Sequence, residues 1–143
     1  MTGDNNSAQP SDVASARYIL GATHIAELSG NGKGLLASLS DIAPDLARFA
    51  TEFAYGDIYS RPGLNSSERQ LLTITALTVL GDTAKQLEFH VRGAIRVGTR
   101  PDAIVETVLH AVGFAGFPRV INAMTVVRKV FDQEGLLPIK PRG

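Results

Sequence analysis

Residues 65–81 read NSSERQLLTITALTVLG, and their reading decides the fold. Asn65 is a helix N-cap residue, and Glu68 three positions on completes a capping box, in which each side chain accepts from the other residue's backbone N–H. Leu71, Leu72, Ile74, Ala76, Leu77, Val79 and Leu80 follow, and Gly81 supplies the stop. These apolar positions surround most of a helical circumference. They predict a helix buried on nearly all sides or lying at a subunit interface.

Helical spacing extends in both directions from this segment. A helix is predicted over about 83–97, stopped by Gly98, with Leu87, Val91, Ala94 and Ile95 as its apolar stripe and His90 inside that stripe. Thr99 with Asp102 opens another, in which Ile104, Val105, Val108, Leu109 and Val112 face inward until Gly113 and Gly116 weaken it. Pro118 opens the last, with core contacts from Val120, Ile121, Met124, Val127, Val130 and Phe131 before Gly135 and Pro138 end it. Toward the N-terminus, Pro44 suits a first helical turn, and Leu46, Phe49, Ala50, Phe53 and Ala54 form an amphipathic stripe. A shorter helix places Tyr18, Ile19, Ala22, Ile25, Ala26 and Leu28 on one side, ahead of the cluster SGNGKG at 29–34. That cluster lacks the GK[ST] ending and the preceding strand of a phosphate loop, so it reads as a flexible joint.

No segment alternates as a strand does, which predicts an all-α bundle of six or seven helices. One domain over 16–135 is expected, between a polar, mobile tail at 1–15 and a C-terminal tail at 136–143. The 143 residues, 44% of them hydrophobic, suit one core that a partner subunit completes. Lys plus Arg number 14 and Asp plus Glu 14, so no net field attracts nucleic acid or an anionic membrane. Cysteine is absent, which removes disulfides, thiolate zinc sites and thiol nucleophiles. No apolar run approaches the roughly 20 residues of a membrane span, and the N-terminus lacks a signal-peptide pattern, so a cytoplasmic protein is expected.

Chemistry concentrates in a few polar residues beside this apolar core: Tyr55, Asp57, Tyr59, Arg61, Glu68, Arg69 and His90. An imidazole on an apolar face is tuned by burial and by a neighbouring carboxylate toward proton exchange near neutrality, and it is equally a core histidine satisfied by hydrogen bonds. Glu68 has two roles open to it, completing the cap or orienting and charging His90. Arg69 offers a bidentate contact to a carboxylate or a structural ion pair. Glu106 and His110 stand four apart on one helical face, a relay or a solvated pair, and Phe114 continues that face. His24 with Glu27 reads as a surface contact. The three histidines show no HxxxH spacing and no cysteine assists them, so no metal site is expected, and no nucleophile-elbow sequence supports a serine triad.

The runs YGDIYSRPGLNSSERQLLTITALTVLG (55–81), QLEFHVRGAIRVG (86–98), AIVETVLH (103–110) and FAGFP (114–118), in that order, resemble the carboxymuconolactone decarboxylase family over about residues 46–131. The resemblance implies the alkylhydroperoxidase D-like helical fold and a homo-oligomer, commonly a trimer or hexamer. Thiol-dependent relatives carry a CxxC pair, and at that spacing this chain has Leu87 and His90, which excludes dithiol peroxidase chemistry here. For the decarboxylase branch it implies cofactor-free loss of carbon dioxide from a carboxylated unsaturated lactone, a small-molecule carboxylate substrate. His90 would carry the proton, with Glu68 setting its charge, Arg69 or Arg61 binding a carboxylate, Tyr55 or Tyr59 donating to the lactone oxygen, and His110 in reserve. Residues 117–122, FPRVIN, are bulkier than the small-residue run of such decarboxylases. An isomerase or cyclase acting on another intermediate, and a non-catalytic ligand-binding oligomer, therefore stand beside the decarboxylase as readings.

Overall fold

The computed structural model describes residues 14–30 and 35–140. Most of the N-terminal tail, residues 31–34 of the glycine cluster and the last three residues lie outside them. The described residues are helical throughout, with no strand: α1 (Ala16–Ser29), a 3-10 turn (Leu35–Leu39), α2 (Pro44–Phe49) running on as a π-helical segment (Ala50–Ile58), α3 (Ser66–Leu80), α4 (Ala84–Arg96), α5 (Pro101–His110), α6 (Val112–Ala115) and α7 (Phe117–Gln133). None is long and apolar enough to cross a membrane.

The core is built from α3, α4, α5 and α7. Ile74, Leu87, Val91, Ala94, Ile104, Val108, Val127, Val130 and Phe131 pack together in one buried cluster. α3, α4 and α7 start and stop close to where the sequence places them. The Asn65 side chain accepts from Glu68 N at 2.9 Å, and the Glu68 carboxylate accepts from Asn65 N at 2.8 Å, closing the expected capping box. Gly81 ends α3 at φ 70, a conformation that costs a side-chain-bearing residue and suits glycine. The start of α5 differs from the sequence reading. Pro101 occupies its first turn and Arg100 is the cap residue, while the Thr99 hydroxyl is 2.7 Å from Ser67 Oγ and ties α3 to the α4–α5 turn.

Two apolar surfaces stay open on the single chain, so α3 is not buried on nearly all sides by its own chain, the first of the two outcomes expected for it. In α3 the fully buried positions are Gln70, Ile74 and Thr78, one face only, while Leu72 is 57% and Leu80 66% exposed. The reason is geometric: α4, α5 and α7 cover one side of α3, and residues 72 and 80 point away from them. In the 44–58 stretch the amphipathic stripe is left largely uncovered, with Phe49 56% and Phe53 61% exposed.

α1 lies against the π-helical segment at very short range. A Cβ on Gly21 would stand 1.9 Å from the Thr51 carbonyl oxygen, and one on Gly56 would stand 2.4 Å from that of Arg17. Only glycine permits that approach. Ion pairing fastens the crossing, with the Arg17 guanidinium donating to both Asp57 oxygens at 2.9 and 2.6 Å. Ser15 Oγ adds a bond to Glu52 at 2.6 Å.

Candidate functional site

His90 sits on the buried stripe of α4 with Leu87, Val91 and Ala94, and is 8% exposed. A polar ring in that position must find partners or bear the cost of desolvation. It finds two. Nδ1 is 2.8 Å from Gln70 Oε1 on α3, and Nε2 is 3.4 Å from the Tyr55 hydroxyl on the π-helical segment. The Tyr55 ring stacks nearly parallel to the imidazole, 5° between planes at 6.5 Å, and Phe89 closes another side edge-on at 5.1 Å.

The chain of contacts continues outward. Gln70, fully buried, donates from Nε2 to the Tyr59 hydroxyl at 3.0 Å. Tyr59 follows the π-helical segment, where the i→i−5 bond from its own N–H to Ala54 closes the last wide turn. Its ring is 5.0 Å from that of Tyr55 and 6.0 Å from that of His24 on α1. His24 in turn faces Ser60 Oγ at 3.3 Å and Glu27 at 3.6 Å. A run of polar rings thus leads from the core to the surface, and π-helical segments recur at functional sites.

Burial sets the protonation states at the inner end. Desolvation lowers the His90 imidazole to about 4, so the ring is neutral at pH 7. Burial also pushes the Tyr55 phenol well above its ordinary value, with Tyr59 adding to the effect, so it keeps its proton. Two neutral groups face each other in a poorly solvated corner. A charge introduced beside them would be felt strongly.

The other residues singled out from sequence fall into three places. Arg69 lies over the Tyr59 ring at 5.8 Å and donates from Nη2 to the Arg61 carbonyl at 2.6 Å. Its Nε is buried and has no partner among the described residues. Arg61 holds Arg69 through its backbone, and its side chain is exposed. Glu68 is spent on the α3 cap, and the side chain on His90 Nδ1 is Gln70 instead. Two residues apart on a helix, positions 68 and 70 do not share a face. His110 and Phe114 are exposed, their rings 6.1 Å apart, away from this cluster. His110 lines a cleft of about 350 Å³ with Leu71, Leu72, Thr75, Glu106 and Thr107. A second cavity, about 270 Å³, lies between the end of α3, the start of α4 and α7, and reaches Leu87, one turn before His90. His90 lines neither. No three His, Cys, Asp or Glu residues gather to share a metal ion among the described residues.

Sequence reasoning missed Gln70 and set His24 aside. A signal for Gln70 was present: it precedes Ile74 and Thr78 by four and eight residues, on the core face of its helix. A buried amide there needs a polar partner, and His90 is the polar residue on the facing stripe.

The family profile described as carboxymuconolactone decarboxylase matches residues 44–129. A 4-carboxymuconolactone decarboxylase of Acinetobacter baylyi is 36% identical over 105 residues, 73% of this chain and 78% of that protein. A nitrosuccinic acid decarboxylase of Metarhizium robertsii is 41% identical over 83 residues, 57% of each chain. An uncharacterized 15.0 kDa protein of Paracoccus denitrificans is 31% identical over 100 residues, 69% of this chain and 75% of that protein. The matched residues span α2 to α7 and include every site side chain except His24, and on these grounds the chain belongs to the carboxymuconolactone decarboxylase family.

Proposed function

We propose that this protein is a cofactor-independent decarboxylase of a small carboxylated lactone or related unsaturated acid, with His90 as its proton carrier. The observation that carries the reading is the hydrogen-bonded chain Tyr55–His90–Gln70–Tyr59, buried at His90 and Gln70, inside the helical scaffold of a decarboxylase family.

In this reading Arg69, held over Tyr59 with an Nε that has no partner among the described residues, takes a substrate carboxylate. The substrate's negative charge next to the imidazole favours its protonated form, so His90 takes a proton from solvent as the anion binds. The bond to the departing carboxylate then breaks, and its electron pair passes into the conjugated carbonyl. Tyr55, which keeps its proton, donates a hydrogen bond to the oxygen where that charge develops. Carbon dioxide leaves, and the imidazolium returns its proton to carbon, restoring neutral His90. Apolar neighbours assist by solvating the departing carboxylate poorly. Homo-oligomerisation belongs to the same proposal, supported by the exposed Leu72, Leu80, Phe49 and Phe53.

The test is product analysis with 4-carboxymuconolactone and nitrosuccinic acid as trial substrates. Release of one carbon dioxide per substrate consumed is expected. Conversion without loss of mass would overturn the decarboxylase reading and favour an isomerase or cyclase on the same acid/base pair.

A further inference from the structure

We propose that Gln70 is a positioning residue that holds His90 in its Nδ1–H tautomer and leaves Nε2 as the working nitrogen. The proposal deepens the reading of His90 as proton carrier and rests on it for its functional consequence. The geometry stands by itself.

A carboxamide oxygen only accepts, and the atom 2.8 Å from His90 Nδ1 is Gln70 Oε1, so that nitrogen must carry the hydrogen. A neutral imidazole has one N–H. Nε2 is then bare and accepts from the Tyr55 hydroxyl at 3.4 Å. Gln70 Nε2 donates to the Tyr59 hydroxyl, which gives both ends of the amide a partner. Gln70 and His90 are both buried. Each polar atom in the chain thus has one direction of bonding, and reversing the amide would require reversing the imidazole with it.

The choice of an amide over a carboxylate at position 70 has a consequence. A carboxylate on Nδ1 would draw the ring toward its protonated form; an amide orients it and leaves it uncharged until an anionic substrate arrives. The titratable groups facing His90 are Tyr55 from the π-helical segment and, one step further, Tyr59 after it, Arg69 of α3 over the Tyr59 ring, and His24 with Glu27 on α1. On α4 itself, Glu88 is held below the ordinary carboxylate range by Lys129 and Arg92, and Arg92 also pairs with Glu134. Burial keeps the ring neutral in this setting, and position 70 sets which of its nitrogens carries the hydrogen.

Two-bond 15N–1H correlation spectra of the imidazole rings at pH 7 provide the test, because they separate the two tautomers without reference to turnover. Three histidines are present, and His90→Gln assigns the signal by its loss. Wild type is expected to show Nδ1–H at His90. Gln70→Glu, nearly the same shape, is expected to keep that tautomer and raise the ring's titration midpoint by about one pH unit or more. The pH profile of turnover should move the same way. Gln70→Leu is expected to release the ring into a mixture of tautomers. An Nε2–H ring in wild type, or an unchanged tautomer in Gln70→Leu, would overturn the proposal, and if Gln70→Leu does not fold, wild type against Gln70→Glu decides it. Failure of the decarboxylase reading shows separately, as absence of carbon dioxide with the ring spectra intact.

Discussion

The two halves of this molecule are held together by different means. Among the described residues, every buried apolar side chain except Leu28 lies between Ile74 and Phe131. α1 and the 44–58 stretch form a layer held by a close backbone crossing at Gly21 and Gly56 and by polar contacts such as Arg17 with Asp57, with Ile19, Leu46, Phe49 and Phe53 left exposed. The polar chain is assembled across the seam. α3 and α4 anchor Gln70 and His90 in the core, and the layer contributes Tyr55, Tyr59 and His24. Such a division lets an apolar core hold the proton carrier while a layer with few buried apolar side chains brings its partners.

Breaking the core should have the largest effect. Ile74→Ala removes a fully buried side chain from the cluster and is expected to cost about 2–5 kcal/mol in urea unfolding. Equal loss from Phe53→Ala would erase the distinction between the halves.

Acid should act next, through the seam. His90 binds its proton at about 4 when folded, against the ordinary 6.5 when unfolded. Between these values the unfolded state binds more protons, so the stabilisation is complete above about pH 6.5 and is lost as pH falls toward 4, on the order of 3 kcal/mol in all. His90→Gln should flatten this part of the stability-pH curve. The same slope in both proteins would show that other groups dominate it.

Gly21→Ala places a methyl group against the Thr51 carbonyl and is expected to cost about 1–3 kcal/mol. Hydrogen exchange sharpens the comparison here: amides of α1 should lose protection while those of α4 keep theirs. Asn65→Ala removes the α3 cap and should cost about 0.5–2 kcal/mol, with fraying confined to the first turn.

Much of the core was legible in the sequence because caps and spacing are local. Asn65 with Glu68, Gly81, and the stripe Leu87–Val91–Ala94 each carry their signal within a few residues. What covers the outer layer was not legible, for the opposite reason. Leu46, Phe49 and Phe53 have helical spacing, and spacing reports an apolar face without saying what covers it. The site was half legible. His90, Tyr55 and Tyr59 stood out as polar residues amid hydrocarbon, but of the two roles open to Glu68 the cap is the one it fills, and the amide of Gln70 takes the place beside the imidazole. Which of residues 68 and 70 meets His90 depends on the rotation of α3 against α4, and that is set by packing over the whole core.

The most direct test of the account is turnover of His90→Gln, which keeps hydrogen-bonding capacity and abolishes proton exchange near neutrality. With thermal stability at pH 7 close to wild type, carbon dioxide release should fall by about 10²–10⁴-fold. Turnover within a few-fold of wild type would contradict the account and reduce His90 to a satisfied core histidine.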